Sequence, residues 1–367
     1  MAESLNARDG EDAAVREVLA QYAPRVRPLR VESLGNRGGF SGAGIWRVVT
    51  EAGDFALRRW PGPGLPRERI LGLHRLLEHL RLSGLKFVAV PLRTSGGTSL
   101  AHNLAHDGLA DDWQLEPWLP GLADFHAGPT SERLRAAMAA LAQWHLAAER
   151  FVPTADSAKW FASRAASPSP AVGERLALLA AADTGQRDHM ERRITPSKDS
   201  AVRELSRRVL DVFRRGHVRV VAELQLVREM AVRLQPCLRD VWHDHVLFSG
   251  NEVTGLIDPS ACRTESVASD LSRLIGSLVQ DDRAAWDFAL TEYQRHRTLT
   301  ANELALVAVL DRSGVLLSGW TWLEWLYFER RPFADVEAVE KRLKEIVERM
   351  QKLVDTESLD TTNLILP

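Results

Sequence analysis

At 367 residues the chain has room for about two to three domains, and an apolar share of 45% is ordinary for a protein that buries a core, which excludes general disorder. Forty-seven basic against 49 acidic residues leave a net charge of −2, which argues against wholesale binding to nucleic acid or an anionic membrane while leaving room for one local basic pocket. Two cysteines, Cys237 and Cys262, exclude a disulfide framework and any multi-cysteine zinc site.

In chain order, residues 1–28 read as a polar extension with a short helix at Ala13–Tyr22. Its opening lacks the basic-then-apolar order of a secretory signal. Residues 29–118 change texture. Arg30–Leu34, Gly44–Thr50 and Asp54–Trp60 are β-rich runs separated by glycines, Leu71, Leu73, Leu76, Leu77 and Leu80 form a helical stripe, and Phe87–Leu92 and Trp113–Trp118 return to strand. The join follows at Glu116-Pro117-Trp118-Leu119-Pro120-Gly121, where two prolines and a glycine end the strand.

Residues 119–354 are mostly helical in pattern, with a strongly amphipathic run at Leu134–Leu146 and loops read at Ser167–Pro170 and Gln186–Asp199. Val246–Phe248 and Val253–Ile257 are strand-like and joined by Ser249-Gly250-Asn251-Glu252, a hairpin signal; helices resume at Asp270. The window Leu304–Phe328 is apolar but broken by Asp311, Arg312 and Glu324, too much for a membrane span. Residues 355–367 form a tail. The layout predicts an α+β, bilobal protein: an antiparallel β-sheet lobe of roughly five strands with one helix, then a mainly helical lobe. It is expected to be soluble and cytoplasmic, with no nucleic-acid or membrane partner, and the sequence carries no signal for oligomeric state.

The densest chemistry lies at Leu238-Arg239-Asp240-Val241-Trp242-His243-Asp244-His245, ahead of the hairpin, and at Ile257-Asp258 at its end. A carboxylate before a hairpin and another after it, with His245 opening the first strand, suit a divalent metal and a general base. A second reading takes Asp240, His243, His245 and Asp258 as a zinc-hydrolase set, with the two histidines on one face of an extended segment.

This block resembles the catalytic loop and metal-binding segment of the protein-kinase-like small-molecule kinases, the aminoglycoside phosphotransferase and choline kinase group, whose pattern is His-Gly-Asp, an Asn five residues on, a strand, a turn and Ile-Asp-Phe. Asp240 and position 245 keep the spacing, Val246-Leu247-Phe248 matches the strand, and Asp270-Leu271 falls on the family's structural Asp-Leu. The resemblance implies an ATP-dependent phosphotransferase acting on a hydroxyl of a small molecule, Asp240 as the base, and Mg²⁺ (or Mn²⁺) held by His245 and Asp258. It extends to Gly38-Gly39-Phe40-Ser41-Gly42 as a glycine-rich phosphate loop, in which Gly38, Gly39 and Ser41 approach the nucleotide. Phe55-Ala56-Leu57-Arg58 is similar to the kinase Val-Ala-Ile-Lys strand, with Arg58 as the phosphate-binding cation and Arg59 pointing away. Glu116 and Trp118 fall in the adenine-binding hinge, and Leu141-Ala142-Gln143-Trp144-His145 resembles the Leu-Ala-x-x-His helix, with His145 read as packed.

Four departures from the pattern bear on the chemistry: Leu238 for His, His245 for Asn, Pro259 for the aromatic, and Arg58 for Lys in a chain with only six lysines. Arginine keeps the charge and grips phosphate oxygens bidentately. Imidazole suits Mn²⁺ better than Mg²⁺. The acidic partner of Arg58 is expected on the long helix, Glu68 first, with Glu78 and His74 as rivals. The departures leave a catalytically impaired pseudokinase as an alternative. Trp322 and Trp325 share a helix face and serve either the core or an acceptor pocket.

Overall fold

The computed structural model describes residues 12–34, 44–60, 64–104, 110–196, 200–331, 333 and 336–356. The chain forms two compact units, Met1–Ala162 with His243–Arg263, and Ser163–Trp242 with Thr264–Pro367. This division differs from the one expected at residue 118, because the helix after the join and the later hairpin both pack with the sheet's unit.

In the first unit a helix over residues 12–19 (α1) precedes β1 (Arg30–Ser33), β2 (Gly44–Thr50) and β3 (Gly53–Trp60); α2 (Arg67–Leu82), β4 (Ala101–Leu104) and β5 (Ala110–Pro117) follow. The strands form the expected five-stranded antiparallel sheet, in the order β1-β2-β3-β5-β4. Strand alternation then sorts the side chains. Trp46, Val48, Phe55, Leu57, Trp113 and Leu115 face one way and pack with Val15, Val18, Leu19 and Tyr22 of the N-terminal segment. The cross-strand rows Arg47–Ala56–Glu116 and Ile45–Arg58–Gln114 lie on the other face.

Helix α2 buries Leu73, Leu76, Leu77 and Leu80 of the stripe its sequence shows, with Ile70 buried beside them and Leu71 only half-buried. The run Phe87–Leu92 is not a strand; Val88 makes one isolated bridge to Leu256, and the Leu92 amide donates to the Leu115 carbonyl at 2.7 Å. Helix α3 (Ser131–Glu149) is capped by the Thr130 side chain and buries His145 completely; the short α4 (Ala158–Phe161) follows.

In the second unit lie β6 (Arg164–Pro168), α5 (Pro170–Ala181), α6 (Thr184–Ile194), α7 (Ser200–Leu226) and β7 (Ala231–Cys237). The loops read at Ser167–Pro170 and Gln186–Asp199 are therefore largely a strand end and a helix. Asp183, whose side chain accepts from the Gln186 amide, starts α6 despite its polar sequence.

The chain then returns to the first unit for β8 (Val246–Ser249) and β9 (Glu252–Leu256), the expected hairpin, turning at Gly250 with φ +59°. Leu122 and Phe248 exchange backbone hydrogen bonds of 2.9 Å each, and this brings the preceding Gly121 against the hairpin. Gly121 sits at φ +103°, and a Cβ there would lie 2.7 Å from the Phe248 carbonyl oxygen, so glycine is required.

The strand β10 (Arg263–Glu265), flanking β7, leads into α8 (Val267–Val279), α9 (Arg283–Gln294), α10 (Ala301–Tyr327) and α11 (Val336–Thr356). Among the described residues α10 is the one helix long and apolar enough to cross a membrane, yet 56% of its apolar window is buried, and it packs with α7, α8 and α11 as a core helix.

Candidate active site

Arg58 is the centre of the polar face of the first unit's sheet. Its guanidinium lies 3.0 Å from the Asp258 carboxylate, both side chains being largely buried, and it also lies over the Trp60 ring. Asp258 leaves β9 in the left-handed region, φ +53°, and opens a single helical turn at Pro259–Ala261. Burial would raise its carboxyl, but Arg58 and His245, together with a hydrogen bond from Ser260, outweigh that and hold it below the ordinary aspartate range. His245 is buried at the end of a 3-10 turn, His243–His245, and its carbonyl accepts from the Ile257 amide at 3.0 Å, so the hairpin register sets His245 beside Asp258.

Glu116 completes this group. Burial raises its carboxyl above the ordinary glutamate range and Asp258 adds to the shift, while Arg58 and Gln114 oppose it. The Gln114 amide nitrogen donates to Glu116 at 2.7 Å, and the Gln114 carbonyl oxygen accepts from Trp60 Nε1 and His74 Nε2, both at 2.9 Å. Because that oxygen can only accept, His74 carries its proton on Nε2, and Nδ1 accepts from the Ser99 hydroxyl at 2.7 Å. Burial pushes the His74 imidazole down to about 4, so the ring is neutral.

The carboxylate facing Arg58 is thus on the hairpin rather than on the long helix. Glu68 is exposed in the first turn of α2, Glu78 pairs with Arg93 at 2.7 Å, and His74 is bound up with Gln114. Along α2 the leucine stripe is buried, whereas Glu68 stands on the exposed side of the first turn. Arg59 points to the opposite sheet face, where it pairs with Asp111 at 2.6 Å and covers Trp113. Trp118 is exposed, covered by Arg47 at 5.0 Å, with its amide donating to the Asp54 carbonyl. Gly38, Gly39 and Ser41 lie outside the described residues. Arg69, to which no role was assigned from the sequence, reaches from α2 to the Ser260 and Cys262 carbonyls at 3.4 and 3.3 Å, steadying the turn after Asp258.

The zinc-hydrolase arrangement is not formed. His243 and His245 share a 3-10 turn instead of an extended strand, His243 packs edge-on against His126 at 4.4 Å, and the donor atoms of His243, His245 and Asp258 are not gathered into a cluster.

In the second unit Asp240 follows a clamped loop. The amides of Leu238 and Arg239 donate to the buried Asp270 carboxylate at 2.7 and 2.6 Å, so the Asp-Leu of α8 fixes the loop from below. Arg239 stands where the resembling pattern has glycine and adopts φ +65°, a conformation costing a non-glycine residue about 1 kcal/mol. Its side chain is held by Glu174, with Glu265 at 3.8 Å. Asp240 itself is half exposed and ion-paired with Arg273 of α8. Trp322 is buried, 5.5 Å from Trp325 and stacked on Phe333 at 5.6 Å, which is core packing within this unit.

Residues 34–308, three-quarters of the chain, match the profile of the phosphotransferase enzyme family APH. The chain belongs to this family. It is a phosphotransferase with the protein-kinase-like α+β fold, as its solved relatives agree. An amicoumacin kinase in complex with AMP-PNP, Ca²⁺ and its antibiotic is 15% identical, with 97% of this chain and 96% of that one covered and a TM-score of 0.65. A spectinomycin phosphotransferase with ADP and spectinomycin is 14% identical over 94% and 98% of the two chains, TM-score 0.63. A microcompartment-associated aminopropanol kinase is 14% identical over 95% and 97%, TM-score 0.60. None of the curated proteins compared matches the chain.

Proposed function

We propose that this phosphotransferase moves the γ-phosphoryl group of ATP to a hydroxyl of a small molecule, with Asp240 as the base and a divalent metal held by Asp258 and His245. The observation that carries the reading is the pairing of buried Arg58 with an ionised Asp258 at the end of the hairpin. A fixed cation for phosphate oxygens beside a carboxylate kept deprotonated for a metal is what a nucleotide-metal complex requires. A carboxylate plus an imidazole would hold Mn²⁺ better than Mg²⁺. When bound, the metal neutralises charge on the phosphates.

The chain's own groups do the rest. Arg58 orients the phosphates through its forked donors. Glu116, anchored by Gln114, keeps Arg58 from swinging away. Asp240, on its clamped loop, accepts the proton of the attacking hydroxyl. The solved relatives with AMP-PNP and Ca²⁺, or with ADP, support nucleotide and divalent-ion use. A cytoplasmic location fits an ATP-consuming reaction.

The test is transfer of labelled phosphate from ATP to a panel of sugars, amino alcohols, hydroxy acids and aminoglycosides. Asp240→Asn is expected to lower turnover by about two orders of magnitude or more while leaving the fold intact. Undiminished activity in that variant would exclude Asp240 as the base, and ATP binding without transfer to any acceptor would favour the impaired-kinase reading.

A further inference from the structure

The guanidinium beside Asp240 has a bearing on which acceptor the enzyme takes. Three other partly buried arginines of the second unit each meet a carboxylate to which no role in the chemistry is assigned. Arg233 pairs with Glu303 at 2.7 Å, Arg349 with Asp281 at 3.1 Å and Asp311 at 2.8 Å, and Arg239 with Glu174. The carboxylate that Arg273 meets is Asp240 itself, and both side chains are about half exposed, 47% and 51%.

This contact conflicts with the role of a base. To take a hydroxyl proton, Asp240 must turn a carboxylate oxygen toward the acceptor and give up part of its pairing with Arg273. A guanidinium that loses an anion at a half-exposed position is best satisfied by another anion of similar shape, and its planar fork matches a carboxylate or a phosphate. Arg175 and Arg239 add to the positive field: burial first, and then the charge of Arg273, lower the Arg175 guanidinium to about 10. A polycationic acceptor would meet like charges here, which acts as discrimination against it.

We propose that Arg273 is a specificity-determining residue that binds an anionic group, carboxylate or phosphate, on the hydroxyl-bearing acceptor, exchanging Asp240 for the substrate. The assignment rests on the reading of Asp240 as the base. It places the enzyme among kinases of hydroxy acids or hydroxyl-bearing phosphate esters rather than of aminoglycosides.

The experiment compares D-glycerate and glycerol 3-phosphate with the neutral glyceramide and glycerol and the cationic 2-aminoethanol, by kcat/KM for ATP-dependent transfer and by calorimetric binding. Wild type is expected to favour at least one anionic probe over its neutral counterpart by about tenfold or more, and whichever arm responds distinguishes carboxylate from phosphate. Arg273→Gln should erase that ratio by raising KM for the anion far more than for the neutral probe, and Arg273→Lys should restore part of it. In Asp240→Asn, where the competing carboxylate is gone, the anionic probe should bind several-fold tighter, and Arg273→Gln added to it should remove the gain.

A preference for neutral or cationic probes, or an equal loss on every probe in Arg273→Gln, would overturn the assignment; the equal loss would make Arg273 only a positioning residue for Asp240. Anion binding that depends on Arg273 without any transfer, or transfer unaffected by Asp240→Asn, would instead count against the phosphotransfer role of Asp240 while leaving Arg273 as the anion site.

Discussion

Desolvating a guanidinium costs several kcal/mol unless carboxylates face it, and the position of Arg58 explains the charges gathered around it. Asp258 lies at 3.0 Å, and Glu116 is near enough for Arg58 to counter the rise that burial imposes on it. The same face must also bury a histidine, and it does so by keeping the ring neutral. His74 is held between Ser99 and Gln114, with its imidazole pushed down to about 4 by burial. In the unfolded chain it takes a proton near 6.5, so the unfolded state binds more protons between those values. The contribution is therefore fully present above about pH 6.5 and is lost as pH falls toward 4, reaching about 3 kcal/mol at its largest. His74→Gln is expected to be less acid-sensitive than the parent over this window, read as the change in urea midpoint between pH 7 and pH 4. Parallel curves for the two proteins would mean that His74 protonates in place.

At the scale of elements, the long helices of the second unit meet closely. Gly319 of α10 sits where α7 and α11 approach, and a Cβ there would lie 2.8 Å from Val209 Cγ1 and against Met350. Val209 is β-branched and cannot turn aside freely. Gly319→Ala is therefore expected to lower stability by about 1–2 kcal/mol despite the better helix propensity of alanine, measured by thermal unfolding. An unchanged Tm would show that the helices have room to separate.

Elements with a periodic apolar signal were legible in the sequence, as α2, α3 and the β8–β9 hairpin illustrate. Those whose signal is spatial were not. β4 and β7 are fixed by their neighbours in a sheet, α6 by the Asp183 cap in a polar stretch, and Phe87–Leu92 has strand composition without a full ladder partner. The site divides in the same manner. Arg58, Glu116, His245 and Asp258 stand out by motif and spacing, whereas Asp258 as the ion partner of Arg58 joins positions 200 residues apart along the chain. Gln114 was within reach, since alternation along β5 puts it on the face of Glu116. Arg273 was not, because nothing in its local sequence marks a helix residue that meets Asp240.

On the scale of the whole molecule, the two units separate the groups to which different roles are proposed. Arg58, Glu116, Trp118, His245 and Asp258 all belong to the first unit, which is assembled from Met1–Ala162 and His243–Arg263, while Asp240 and Arg273 belong to the second. A nucleotide bound by the first set stabilises the folded protein by mass action, about 2.7 kcal/mol at a free concentration one hundred times Kd. Removing Asp240 leaves every one of those residues in place, whereas removing Asp258 takes away the carboxylate proposed to hold the metal and leaves Arg58 buried without its ion partner. Mg·ATP is therefore expected to raise the Tm of Asp240→Asn as much as that of the parent and to lose most of its effect on Asp258→Asn. Hydrogen exchange on the full chain should show the added protection over β3, β5 and the β8–β9 hairpin. If Asp240→Asn lost the shift as completely as Asp258→Asn, the division of labour drawn here would be wrong, and Asp240 would belong with the nucleotide rather than with the acceptor.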